Sequence, residues 1–373
     1  MSKDVVVKAV ESGRDFRTFI LFPWKIYRGN PNWVPPLIMD QKNLFNTKKN
    51  PFFKHSIIRS FLAFKENKAV GRISAVIDHN YNDFQNDRAG IFGFFESIDD
   101  KAVSNALFEA AEEWIREQKM ERMFGPANPS TNHILGLLID AFDQPPMVMM
   151  PYNPPYYEKL FEQYGLKKAK DLYAYHMDES IPISDKIKRV TAIIKKKHNI
   201  TVRPAEIKKF DREVELIKTV WNEAWERNWG FVPWTDEEFE HLGKEIKTIV
   251  NPELILLAFV DHEIVAFCLT LPDVNQALKR INGRLLPFGL FKLLWYARKL
   301  TRMRVAIMGV RKKYRMMGIE AVFCHETYVQ GVKHGLTDAE ISWILEDNLP
   351  MRNIMERWGS RRYKTYRMYE KEF

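Results

Sequence analysis

Arg311, Lys312, Lys313 and Arg315 crowd one short stretch, directly after the apolar run Val305–Val310 and directly before Gly318. The residues beyond Gly318 have a helical pattern, so the order is strand, basic loop, helix start. That arrangement suits an anion. The first turn of a helix points free backbone N–H groups outward, and its dipole favours negative charge there. A glycine permits close backbone approach, and an arginine can hold one phosphate with two hydrogen bonds. Arg311, Arg315, Met316, Met317, Gly318 and Ile319 are therefore the candidates for holding a pyrophosphate.

The elements that must position this loop are legible through an internal repeat. An offset of 195 aligns Val70–Asp78 with Val265–Asp273, and Phe61–Phe64 with Leu256–Phe259. Each pair of apolar runs brackets a turn, Glu66-Asn67-Lys68 in one copy and Asp261-His262-Glu263 in the other, and so predicts a hairpin. Asn153-Pro154-Pro155 matches Asn348-Leu349-Pro350 at the same offset, and the helical stretches that follow end at Gly165 and Gly359. Two copies of one α/β unit follow, at 1–178 and 198–373, joined by a Lys-rich helical linker at 179–197. In the first copy Val103, Ala106, Leu107, Ala110, Ala111 and Trp114 form one inward helix face. The second copy predicts a strand at 201–203, a helix from Asp211 to Trp225, and another from Thr235 to Val250. Thr235 caps that last helix, with Glu238 closing a capping box. After the hairpin come the strand 305–310, a helix from about Gly318 to His334, a strand from Ala339 to Ile344, and a helix from Pro350 to Trp358.

Composition sets the class. At 373 residues and 46% apolar content, the chain is long for one compact domain. Met1-Ser2-Lys3-Asp4 carries neither a signal sequence nor a myristoylation glycine, and no apolar run is long enough to span a bilayer, so a cytoplasmic protein is expected. Cys268 and Cys324 are the two cysteines, which excludes a disulfide framework or a four-cysteine zinc site. No metal is expected. The net charge of +9 implies an anionic partner, for which nucleic acid, anionic lipid and coenzyme A all qualify.

The loop resembles the signature of the GNAT superfamily of acyl-CoA N-acyltransferases, Gln/Arg-x-x-Gly-x-Gly/Ala after the fourth strand, with Arg315 and Gly318 in register. The order of the surrounding elements, and the closing helix ending in Glu356-Arg357-Trp358-Gly359, resemble that family too. What the resemblance implies is an α/β fold with a mixed sheet, in two tandem GNAT-like domains, and direct attack of a primary amine on an acetyl-CoA or longer acyl-CoA thioester. It further implies that backbone groups of Met308, Gly309 and Val310 polarise the thioester carbonyl, and that Asn348 lies at the cofactor-binding closing helix. Only the second copy carries the loop. The matching stretch of the first copy, Phe94 to Asp100, contains Glu96, Asp99 and Asp100 and no basic residue, and would repel coenzyme A. Glu320 stands where the family has Gly or Ala. Met355 occupies the place of a frequent tyrosine acid, leaving Tyr314, Tyr363 or Tyr366 to protonate the thiolate, or none. Glu340, on the strand that borders the acyl site in the family, is the first candidate for general base, with His325 as the alternative.

Two features bear on the acceptor. The segment Leu285–Arg304 has Phe288, Phe291 and Trp295, five basic residues and no acid, which resembles an interfacial anchor on an anionic membrane. The opposing reading is an insertion packed within the protein. A second cluster, Trp221, Trp225, Trp229, Phe231 and Trp234, falls on the family's acceptor side. Over its whole length the chain resembles a bacterial tandem-GNAT group that includes the bacterial ceramide synthases, on Asn228–Pro233, Pro272–Asn275 and Glu340–Asn348; a long-chain amino lipid is the acceptor this implies. A non-enzymatic basic module for nucleic acid or membrane is the alternative class. Against nucleic acid, the aromatics fall at helix and strand periods and no nucleic-acid motif is present.

Overall fold

The structure, a computed structural model, describes residues 5–181, 185–226, 228–247 and 250–373. Met1–Asp4, part of the expected linker (182–184) and the end of the expected 235–250 helix (248–249) lie outside the described residues. The principal strands are β1 (Val6–Ala9), β2 (Ser56–Lys65), β3 (Lys68–Asp78), β4 (Ala89–Ser97), β5 (Arg122–Gly125), β6 (Lys167–Asp178), β7 (Ile200–Pro204), β8 (Ile255–Val260), β9 (Glu263–Pro272), β10 (Arg302–Val310), β11 (Asp338–Leu345) and β12 (Arg361–Glu372). The helices that matter for the site are α1 (Lys101–Glu117), α2 (Tyr157–Gln163), α3 (Asp185–Lys197), α4 (Phe210–Ala224), α5 (Asp236–Lys247), α6 (Gly289–Ala297), α7 (Ile319–Lys333) and α8 (Leu349–Arg357).

Two compact units result. One holds Met1–Leu172, Leu278–Leu293 and Lys364–Phe373; the other holds Tyr173–Ala277 and Leu294–Tyr363. In the first unit the sheet order is β1-β2-β3-β4-β5, with β12 beside β5; in the second it is β6-β11-β10-β9-β8-β7. Both are mixed sheets: β4 meets β5 and β10 meets β11 in parallel, whereas β1–β2, β2–β3, β3–β4, β5–β12, β7–β8, β8–β9 and β9–β10 are antiparallel.

Local chemistry explains the repeat. Both hairpins turn on two residues in the left-handed region, Glu66 and Asn67 at φ 48° and 60°, and Asp261 and His262 at 47° and 72°. Two positive values in succession are what a tight hairpin between right-twisted strands needs. In α1, Val103, Leu107, Ala111 and Ile115 recur at four-residue spacing and are wholly buried, against Ile73, Phe92 and Phe161. Thr235 and Glu238 form the expected reciprocal cap: Thr235 N donates to Glu238 Oε2 at 2.9 Å, and Glu238 N to Thr235 Oγ1 at 3.2 Å. The core of the second unit joins Val265 and Cys268 of β9 to Ile319 and Phe323 of α7, Ile341 of β11 and Met355 of α8. Burial pushes the Cys268 thiol up to about 11 and raises that of Cys324, so both remain neutral thiols.

Candidate active site

The site develops where β10 and β11 part. Among the described residues their parallel register runs only from Arg302/Asp338 to Val305/Ile341. On its other edge β10 keeps pairing with β9 as far as Val310, with a bulge at Ala306, which has no partner between Val305 and Ile307. A gap thus opens between the ends of two adjacent parallel strands, bordered by the backbone of Ala306–Val310.

Side-chain alternation gives the gap two different walls. On one face Val305, Met308, Ala339 and Ile341 join Cys324 and Thr327 of α7 and Met355 of α8 around an apolar cavity of about 50 Å³. On the opposite face Glu340 is completely buried. Its Oε1 accepts from Ser342 Oγ at 2.6 Å and lies 3.8 Å from Arg304 Nε, and its Oε2 accepts a short hydrogen bond from the Tyr363 hydroxyl. Arg304 sits directly across the register from Glu340 and donates to both Ser342 Oγ and Ser342 O, at 2.8 and 3.1 Å. Tyr363 is partly exposed and packs against His176, whose Nε2 lies 2.9 Å from Asp338 Oδ1. The buried carboxyl of Glu340 is thus surrounded by one arginine and two hydroxyl donors, the partners that a polar group needs inside a fold.

Further along the same face, Trp225 lies against the strand backbone. A Cβ on Gly309 would sit 2.0 Å from the Trp225 ring, so only glycine fits there. Trp221 packs against Trp225 with the rings tilted by 31° and their centroids 4.6 Å apart, and Phe231 lies 6.4 Å from Trp221. This part of the expected aromatic cluster therefore borders β10.

At the end of β10 the chain passes through the basic loop into α7. Gly318 is the N-cap, at φ 79°, and no side chain caps the helix. Ile319 is fully buried, Met316 is 94% exposed, and Lys312 and Lys313 are exposed. Arg311 is differently employed: it grips Glu223 through Nε and Nη2, both at 2.9 Å, and also pairs with Glu263. Arg315 is an exposed residue whose guanidinium is anchored on one side, Nη2 donating to Ala224 O at 2.6 Å and Nε to Val310 O at 3.4 Å. Glu320 follows Ile319; burial raises its carboxyl pKa, opposed first by a hydrogen bond from its own backbone N–H and then by Arg315.

The first unit differs at the matching helix. Asp100 caps α1, accepting from Ala102 N and Val103 N at 2.8 and 3.3 Å, and is itself paired with Lys65. Here the donors that an anion would need already have a carboxylate.

The remaining candidates separate by place. Asn348 caps α8 by accepting from Met351 N at 3.3 Å. Tyr314 donates to Glu263. His325 lies on α7 beside Glu326, with 4.0 Å between Nδ1 and Oε1. Tyr366 is fully buried in the first unit, paired in register with Leu138, whereas Tyr363 is the tyrosine bonded to Glu340. Ser342 is readable in the sequence as a residue on the strand face of Glu340, but the pairing of Arg304 with Glu340 is not, although an arginine inside an apolar strand run is a visible signal that a buried acid answers it. Among the described residues no group of three or more His, Cys, Asp or Glu could hold a metal ion.

Arg311 and Arg315 give opposing expectations. Arg311→Ala removes the cation shared by Glu223 and Glu263, so the melting temperature should fall while coenzyme A affinity changes by less than about threefold. Arg315→Ala should weaken coenzyme A roughly tenfold, the scale of one lost charge-assisted hydrogen bond. Calorimetric titration of both variants ranks them, and the reverse order would move the phosphate to Arg311.

Splayed parallel strands, a bulge in the first of them and an uncapped helix after it define a GNAT-type N-acyltransferase. Solved structures agree at the level of fold. A tandem GNAT protein from the clavulanic acid biosynthesis pathway superimposes with TM-score 0.58 at 9% identity, covering 99% of this chain and 98% of that one. A GCN5-related N-acetyltransferase from Sphaerobacter thermophilus gives 0.54 at 13% identity, covering 100% and 96%. No protein-family model matches the sequence. Full-length relatives narrow the class: protein YghO of Escherichia coli (strain K12) is 37% identical over 374 residues, covering 98% of this chain and 95% of that protein. The bacterial ceramide synthase of Caulobacter vibrioides is 36% identical over 381 residues, covering 99% and 97%. The chain belongs to the tandem-GNAT N-acyltransferase family that includes this bacterial ceramide synthase. It is accordingly an N-acyltransferase.

Proposed function

We propose that the second unit alone binds acyl-CoA, with the pyrophosphate on the first turn of α7 near Arg315, Met316, Met317, Gly318 and Ile319. The observation that carries this reading is the contrast between the glycine N-cap at Gly318, which has no side chain to close the helix and has Arg315 three residues before it, and the aspartate-capped N-terminus at Asp100. The pantetheine arm enters the gap between β10 and β11, and backbone groups at Met308, Gly309 and Val310 hold the thioester carbonyl. Asn348 shapes the end of α8 beside that arm.

A primary amine approaches from the face of Glu340 and the aromatic cluster. Its nitrogen bonds to the thioester carbonyl carbon, the C–S bond breaks, and the acyl group leaves on nitrogen as an amide. The ammonium proton passes to the Tyr363 oxygen while the Tyr363 hydroxyl proton moves to Glu340 Oε2. The thiolate leaves as such or takes its proton from solvent. This assigns Glu340 as base and Tyr363 as the hydroxyl that carries the proton to it. Tyr366 supports β12 in the first unit.

The acceptor we propose is a long-chain amino lipid and the donor a fatty acyl-CoA, on the cytoplasmic face of a membrane. The 36% identity to a bacterial ceramide synthase over almost the whole chain supports the acceptor class. Purified protein should convert palmitoyl-CoA and a long-chain amino base to the amide, followed by mass spectrometry, faster than it acetylates soluble amines. Transfer only from acetyl-CoA to soluble amines would overturn the lipid reading and leave the acyltransferase intact.

A further inference from the structure

We propose that α6 and the loop leading into it form a docking element for an anionic phospholipid bilayer. The feature is an inverted amphipathic helix. Leu286, Phe288, Leu290, Phe291, Leu294 and Trp295 are exposed, by 81, 69, 44, 71, 58 and 60% respectively. On a helix of 3.6 residues per turn, Phe288, Phe291 and Trp295 form one stripe, with Leu290 and Leu294 beside it. The opposite side carries Gly289, which is buried, and the half-buried Leu293 and Tyr296. The apolar stripe is therefore the outward one, the reverse of an ordinary surface helix.

Its exposure is built in. A Cβ at Gly289 would lie 1.9 Å from Arg284 O, and Leu290 N donates to Leu285 O at 2.8 Å, so the helix is folded tightly onto its own leading loop. In the first unit that loop is rooted by Trp24 Nε1 donating to Asn282 Oδ1 at 2.9 Å and by Ile38 N donating to Gly283 O at 3.0 Å. In the second unit the segment after the helix is tied by Asp273 N donating to Arg302 O at 2.8 Å.

Charge selects the occupant. Between Asp273 and Glu320 the sequence has no acidic residue, and Lys279, Arg280, Arg284, Lys292, Arg298 and Lys299 are all exposed. Lys292 and Lys299 flank the stripe, and Lys299 Nζ lies 5.3 Å from the Trp295 ring centre. A second copy of the same surface would bring like charges together around its apolar patch, whereas anionic headgroups satisfy the cations while Phe, Leu and Trp enter the acyl boundary. At nine residues the helix is about 13 Å long and can lie in the interface but not cross it. No helix among the described residues is long and apolar enough to cross a membrane.

The test is co-sedimentation of the full chain with vesicles of phosphatidylcholine alone or with phosphatidylglycerol, at low and high salt. Binding should require the anionic lipid and weaken with salt. Phe288→Ser, Phe291→Ser and Trp295→Ser together should lower the partition coefficient roughly 100-fold, since three partly inserted groups are lost. These side chains are exposed, so the melting temperature should hold. A Phe288→Cys variant carrying an environment-sensitive fluorophore supplies a second reading, with a blue shift expected on anionic vesicles. Indifference of the wild type to anionic vesicles, unchanged binding of the triple variant, or an unshifted probe overturns the proposal. So does conversion of a dimer to a monomer by the triple variant, which would assign the stripe to a second copy. Coenzyme A titration of the same triple variant reads the acyl-CoA site independently, so failure of one proposal is distinguishable from failure of the other.

Discussion

Gly318→Asp should abolish the rise in melting temperature that coenzyme A produces. An aspartate there places an anion on the donors that hold the pyrophosphate, and its carboxylate can cap α7 itself, as Asp100 caps α1. The expected loss of affinity is at least about 100-fold, the combined scale of blocked charge-assisted bonds and like-charge repulsion. Gly318 has φ 79°, and a Cβ there would lie 2.9 Å from Ile194 Cδ1, so any side chain adds strain. Gly318→Ala measures that part alone, about 1–2 kcal/mol of stability, with most of the coenzyme A shift retained. If the aspartate variant binds coenzyme A like the alanine variant, the phosphate site is elsewhere.

Glu340→Gln carries the second large effect. The amide keeps the shape and can still accept from Ser342, but it cannot take a proton from Tyr363. At neutral pH kcat/KM should fall roughly 10²–10⁴-fold, the usual contribution of a positioned base. Toward high pH the amine arrives already free, so the deficit should narrow. A loss equal at every pH would assign Glu340 to structure, because the same substitution leaves Arg304 buried without its counterion. Tyr363→Phe separates the two roles: it leaves the Arg304–Glu340 pair whole, and should reproduce the pH-dependent loss. Combined with Glu340→Gln it should add little, as expected for two groups that pass one proton.

The order of strand, basic loop and helix start was legible because everything that makes it is local: an apolar run, four cations and a glycine follow one another within a few residues. The hairpins and the Thr235 cap were legible for the same reason. The environment of Glu340 was not. Arg304 meets Glu340 only through the register of two parallel strands, which local sequence does not encode. Arg311 looked like a phosphate ligand because its partners, Glu223 and Glu263, are distant in sequence and near in space. Tyr363 and Tyr366 could not be separated by composition, yet an odd spacing on a strand sends them to opposite faces. The bulge at Ala306 left no mark in the apolar run that contains it.

The strand memberships described above mean that the repeat in the sequence and the unit in space are different objects. The last strand of the first repeat supplies Tyr173 onward to the second unit, and the last strand of the second repeat supplies Lys364 onward to the first. Gly125 of β5 is matched by Tyr369, a residue from the far end of the chain. A gene cut at the linker would therefore not yield two smaller proteins. The amino-terminal product would display an unsatisfied strand edge at β5 until the carboxy-terminal residues reached it, and ribosomal synthesis leaves that edge open until the chain is almost complete. Such an exchange of strands ties the two halves of the chain together: neither can be lost, shuffled or replaced at the linker without taking a strand from the other's sheet.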